Sequence, residues 1–197
     1  MAKLYFRYGA MGCGKTMQLL QVAFNYEERG MKVCVIKPAT DTKNGTKLLT
    51  RIGPERETNF CFNRQTNIFK EVKSQFKNVA CILVDEAQFL TPQQADELSE
   101  IVTKLDIPVM AYGLRLNFRQ EDGGFEGATR LLQIADDIEE LKTICECGRK
   151  ATRNTRFLDN KIVLDGPDIL IDDGKTNIEY RALCAKCVEK YKRAAKN

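Results

Sequence analysis

The chain has 197 residues, 43% apolar and 29% charged, with a formal net charge of +4, eight cysteines and no histidine. This length suits one domain with a small appendage, the modest charge does not by itself argue for nucleic-acid binding, and no apolar run approaches a membrane span. Without histidine, a general base must be a carboxylate, lysine or activated cysteine, and a zinc site must rest on cysteine or carboxylate.

In chain order, residues 4–8 form a strand-like aromatic run. They lead into Gly9-Ala10-Met11-Gly12-Cys13-Gly14-Lys15-Thr16, which fits G-x-x-x-x-G-K-[ST] at every fixed position. In such a loop, consecutive backbone N–H groups curl around nucleotide phosphates. Lys15 reaches the terminal phosphates and the Thr16 hydroxyl ligates Mg2+. Residues 16–29 carry Leu19, Leu20, Ala23 and Phe24 at helical spacing, with Gly30 as a C-terminal cap. The helix directs its positive end at the same anion. The early glycines leave no room for a secretory apolar region, so the expected compartment is cytoplasmic.

Residues 32–36 read as a short apolar strand ending at Pro38, and residues 43–64 as a long, polar, mobile loop. A helix is expected over 66–76, with Ile68, Phe69, Val72 and Phe76 on one face. Residues 79–84 form a continuous apolar run, as in a buried parallel strand. Thr91, Pro92 and Gln94 supply an N-cap, a first-position proline and a capping-box partner for a helix running to about 104. A strand over 108–112 and a helix over 127–135 complete an alternation that indicates a parallel sheet with flanking helices. The expected fold is therefore α/β, of the P-loop NTPase type.

The pattern changes near Lys142, dividing the chain into a nucleotide-binding domain (1–142), a small cysteine-bracketed domain (143–191) and a flexible basic tail (192–197). Strand-like runs are expected at 161–164 and 169–171. Within the first domain, Asp85 and Glu86 follow the apolar strand directly. Asp85 is placed as the magnesium-side acid. Glu86 lies at the crevice where open α/β sheets bind ligands, placed to take a proton from water or from a substrate hydroxyl. Hydrolysis and transfer both remain open at this point, so a phosphotransferase and a nucleic-acid-stimulated ATPase of helicase-like type are both compatible.

Cys145, Cys147, Cys184 and Cys187 form two close pairs, the pattern of a closed structural zinc site, with free thiols or a redox disulfide as alternatives. Cys34 and Cys81 lie in apolar strands and read as core; Cys13 reads as loop spacing; Cys61 carries no signal.

Taken together, the Gly9–Thr16 loop, Asp41-Thr42-Lys43, Val84-Asp85-Glu86-Ala87-Gln88-Phe89, residues 112–119, residues 143–151, Tyr180 and the second cysteine pair occur in an order that resembles the zinc-containing (type II) thymidine kinase family, across essentially the whole chain. The resemblance implies a RecA-like P-loop sheet with a zinc-ribbon-like domain carrying a lasso loop. It implies transfer of the ATP γ-phosphate to the 5′-hydroxyl of deoxythymidine with Mg2+ and a structural Zn2+. Glu86 matches the catalytic base. The phosphate-side set is residues 9 to 16 with Asp41, Lys43, Asp85 and Gln88. Met11, Glu86, Leu114, Phe118 and Tyr180 match the nucleoside site. The family also implies a homotetramer and feedback by dTTP, with no stable nucleic-acid or membrane partner. Ile171-Asp172-Asp173-Gly174 departs from the family's usual Ile-Gly-Gly in the lasso.

Overall fold

The computed structural model describes residues 1–39, 45–50, 53–119, 124–167 and 177–195. Its first part runs β1 (Leu4–Gly9), α1 (Lys15–Glu27), β2 (Lys32–Pro38), β3 (Lys47–Leu49), β4 (Glu55–Glu57), β5 (Phe60–Phe62), α2 (Ile68–Gln75) and β6 (Val79–Val84). A 3-10 turn (Ala87–Phe89), α3 (Pro92–Leu105), β7 (Val109–Gly113), α4 (Glu126–Ile134) and β8 (Asp137–Leu141) follow. The last part holds β9 (Thr143–Ile144), β10 (Lys150–Ala151), β11 (Arg153–Leu158), β12 (Lys161–Val163), β13 (Ile178–Leu183) and α5 (Ala185–Ala194).

Strands β5-β2-β6-β7-β1-β8 form one parallel sheet in that order. Its central strands are apolar on both faces because both are covered. Cys34, Ile36, Ile82, Val84, Val109 and Ala111 face a core closed by Ile68 and Val72 of α2, Leu98 and Ile101 of α3 and Leu131 of α4. Val33, Val35, Cys81, Leu83 and Tyr112 face the opposite core, closed by Leu19 and Ala23 of α1 and Leu48 of β3. Each such large aliphatic side chain contributes roughly 1.5–3 kcal/mol by leaving water. Cys34 and Cys81 are therefore core residues, as read from sequence.

The start of α3 is the capping box expected there. The Thr91 side chain accepts from Gln94 N (3.1 Å) and Gln94 Oε1 accepts from Thr91 N (3.0 Å). Helix α1 ends at Glu27 with Glu28 as its C-terminal cap, two residues before the expected Gly30, whose φ of 73° turns the chain toward β2.

Two parts of the sheet differ from the sequence reading. Among the described residues of the stretch read as a long loop lie β3, β4 and β5. Strands β3 and β4 pair antiparallel, with Lys47 against Glu55 at 3.0 Å, and the buried Lys37 donates to the Lys47 carbonyl at 2.8 Å. Strand β8 was not expected, since its acidic residues hide the pattern. It pairs with β1, and Arg7 meets both Asp137 and Glu139 across the strands.

Beyond β8, β9 and β10 form a hairpin and β12-β11-β13 a three-stranded sheet. Phe157, Ile162, Leu183 and Val188 form a third core with Cys145, Cys184 and Cys187, and Tyr191 meets Phe157 edge-on at 5.0 Å. Helix α5 continues to Ala194, past the start of the expected flexible tail, with Arg193 bonded to Glu189 one turn back (3.1 Å). The expected run at 169–171 lies outside the described residues. Among them, no helix is long and apolar enough to cross a membrane.

Candidate functional site

The loop after β1 turns at two left-handed glycines, Gly12 (φ 74°) and Gly14 (φ 85°), a conformation that other residues adopt at a cost. A Cβ on Gly9 would lie 2.4 Å from Cys13 Sγ and 2.5 Å from the Leu141 carbonyl, so the turn closes only on a bare backbone. Lys15 opens α1 and is buried. Its ammonium folds back over the loop, donating to the Ala10 carbonyl (3.1 Å) and to Cys13 Sγ (3.7 Å).

Thr16 Oγ1 donates to Asp85 Oδ2 at 3.0 Å, which brings the end of β6 to the start of α1. Asp85 is 3% exposed, and its Oδ1 is buried without a hydrogen-bond partner. Burial first, then the neighbouring Glu86 charge, pushes its carboxyl up to about 7. A buried, unpaired carboxylate oxygen beside a threonine hydroxyl suits a hard cation, as magnesium at a phosphate loop requires.

Glu86 occupies the left-handed region at φ 48°, uncommon for a non-glycine residue, and is half-buried. Its carboxylate accepts a hydrogen bond from Gln88 Nε2, while Gln88 Oε1 accepts from the Leu114 backbone N–H at 2.9 Å. Gln88 therefore ties the Glu86 carboxylate to the Leu114 backbone. Gly113 makes room for it: a Cβ there would stand 3.0 Å from both Gln88 N and Oε1.

Leu114 is half-buried on the segment after β7, and Phe118 is buried further along it. Phe118 meets a residue with no signal in the sequence, Arg156 of β11, whose guanidinium carbon lies 3.6 Å above the ring. Arg156 is 1% exposed, donates from Nε to the Tyr180 hydroxyl (2.9 Å) and also bonds the Pro167 carbonyl. Phe118 and Tyr180, distant in sequence, thus meet around one cation. Two positions before Arg156, Asn154 is another residue without a sequence signal: its Oδ1 accepts from the Met11 N–H and its Nδ2 donates to the Leu116 carbonyl, both at 2.8 Å. Asp41, Lys43 and Ile171 to Gly174 lie outside the described residues.

The thiols of Cys145, Cys147, Cys184 and Cys187 lie within 4.8 Å of one another, and those of Cys147 and Cys184 are 3.6 Å apart. Four thiolates on one tetrahedral zinc at about 2.3 Å stand about 3.8 Å from each other, so the set fits that ion. Hydrogen bonds from the Arg149 backbone and then from Cys187 pull the Cys147 thiol down to about 6. The cluster joins the β9–β10 hairpin to the start of α5.

The thymidine kinase family model matches residues 2–190. A thymidine kinase of Francisella tularensis subsp. holarctica is 43% identical over 192 residues, covering 94% of this chain and 96% of that protein. One of Legionella pneumophila (strain Lens) is 46% identical over 190 residues, covering 93% and 88%. Among solved structures, the Pif1 helicase of Candida albicans aligns at a TM-score of 0.41 and 17% identity over 73% of this chain and 36% of that one, and no inference is drawn from it.

Proposed function

The chain belongs to the thymidine kinase family, enzymes that phosphorylate thymidine, and we propose that it moves the γ-phosphate of ATP to the 5′-hydroxyl of deoxythymidine with the residues set out above. The observation that supports the residue assignment is the 3.0 Å bond from Thr16 to Asp85, which joins the start of α1 to the end of β6 beside Glu86. The loop amides and Lys15 hold the donor phosphates. Thr16 and Asp85 hold magnesium, which neutralises charge on the phosphate oxygens when bound. Glu86 takes the proton of the 5′-hydroxyl, and Gln88 holds its carboxylate in register with the Leu114 backbone.

Met11, Leu114, Phe118 and Tyr180 wall the flat pyrimidine, as apolar sites do. The resemblance assigns a lasso to the zinc-rooted domain, and a lasso that covers the nucleoside excludes water and so favours transfer over hydrolysis. Asp41 and Lys43 belong beside the phosphates. The reading extends to a homotetrameric cytoplasmic enzyme with structural zinc, inhibited by thymidine triphosphate. A panel of nucleosides screened for heat protection tests it: deoxythymidine raises the melting temperature, and purine nucleosides leave it unchanged. Protection by purines alone overturns the assignment.

A further inference from the structure

We propose that Asn154 is a positioning residue that makes nucleoside capture and donor-phosphate binding depend on each other. The inference rests on the kinase reading above. Asn154 is 4% exposed and stands on β11, in the zinc-bearing part of the chain. One side-chain amide grips two separate segments of the other part. Its oxygen takes the Met11 N–H, inside the phosphate loop, and its NH2 group gives to the Leu116 carbonyl, between Leu114 and Phe118. Both bonds are 2.8 Å long, and their donors and acceptors fix which end of the amide faces which segment.

The same strand face continues the joint. Side chains two apart on a strand share a face, so Arg156 lies beside Asn154 and reaches Phe118 and Tyr180. Arg119, next to Phe118, donates to the Gly166 carbonyl at 2.8 Å, at the foot of the β12–β13 connection. A nucleoside that settles against Phe118 and Tyr180 therefore bears on β11, and β11 bears through Asn154 on the phosphate loop. Any coupling of this kind is reciprocal. Only an amide of this length serves both contacts: aspartate keeps the acceptor and loses the donor, and leucine loses both.

Titration calorimetry of deoxythymidine, with and without the magnesium complex of the β,γ-imido analogue of ATP, tests this on the full-length zinc-loaded protein. In the wild type each ligand is expected to tighten the other about tenfold, the effect of one buried hydrogen bond. In Asn154→Leu the zinc content is unchanged, each ligand alone still binds, and the mutual tightening falls to about onefold. Asn154→Ala, which also removes both bonds but adds neither bulk nor charge, is expected to fall to about onefold too and carries the test if the leucine variant does not fold. Full tightening in the variants, or none in the wild type, overturns the proposal. A wild-type protein that binds no deoxythymidine refutes the kinase reading itself, and the proposal with it.

Discussion

Replacing Asp85 by asparagine should make the ligand-free protein more stable and the enzyme inactive. The Asp85 carboxyl is nearly fully buried, one oxygen has no partner, and burial together with the Glu86 charge lifts it from 3.8 to about 7. A carboxyl that ionises more readily unfolded than folded costs stability as pH rises. The cost begins above 3.8, grows to about pH 7 and then levels. A rise from 3.8 to about 7 sets an upper limit of about 4 kcal/mol, and relaxation around the buried carboxyl lowers it to about 2–4 kcal/mol. Asparagine keeps an acceptor for Thr16 Oγ1 and carries no charge. Urea unfolding in chelator, without nucleotide, should show a gain of about 2–4 kcal/mol at pH 8 that shrinks to about 1 kcal/mol at pH 5. In a chain of this size each kcal/mol moves the melting temperature by about 2–4 °C. A variant no more stable than wild type at pH 8, or a gain independent of pH, would refute the strained-carboxylate reasoning.

Glu86→Gln should lower turnover at least about a hundredfold while affinity for a non-hydrolysable ATP analogue stays within about threefold, and unchanged turnover would remove Glu86 as the base. Gln88→Leu severs the bonds to Glu86 and to Leu114, so kcat should drop about tenfold with little change in ATP-analogue affinity. An effect on analogue affinity alone would instead put Gln88 among the phosphate-side residues. Metal analysis of freshly purified protein should give about one zinc per chain, and Cys145→Ser should lower both that content and the melting temperature. A zinc-free wild type of unchanged stability would count against the site.

What the sequence revealed was what local chemistry decides. The glycine-rich loop is legible because its turns are written in consecutive backbone positions, and Thr91 with Gln94 because a helix cap is closed within one turn. The four cysteines were legible as a set because little besides a metal gathers such pairs in a chain without histidine. Strands β4 and β8 escaped because their charged residues hide a strand pattern. Their extended form comes from pairing with neighbours, β4 with β3 and β8 with β1, and the ion pairs Glu55–Lys47 and Asp137–Arg7 cross those pairings. Asn154 and Arg156 escaped for a related reason. Arg153-Asn154-Thr155-Arg156 is polar throughout, yet the last three are buried, since Met11, Leu116, Phe118 and Tyr180 come to them from elsewhere in the chain.

Incubation with γ-labelled ATP, magnesium and deoxythymidine, followed by separation of nucleotides from free phosphate, measures the central claim most directly. Label on deoxythymidine 5′-monophosphate, dependent on the nucleoside and lost in Glu86→Gln, is the expected result. Label released only as inorganic phosphate, whether or not DNA is added to stimulate it, would contradict it and identify an ATPase instead.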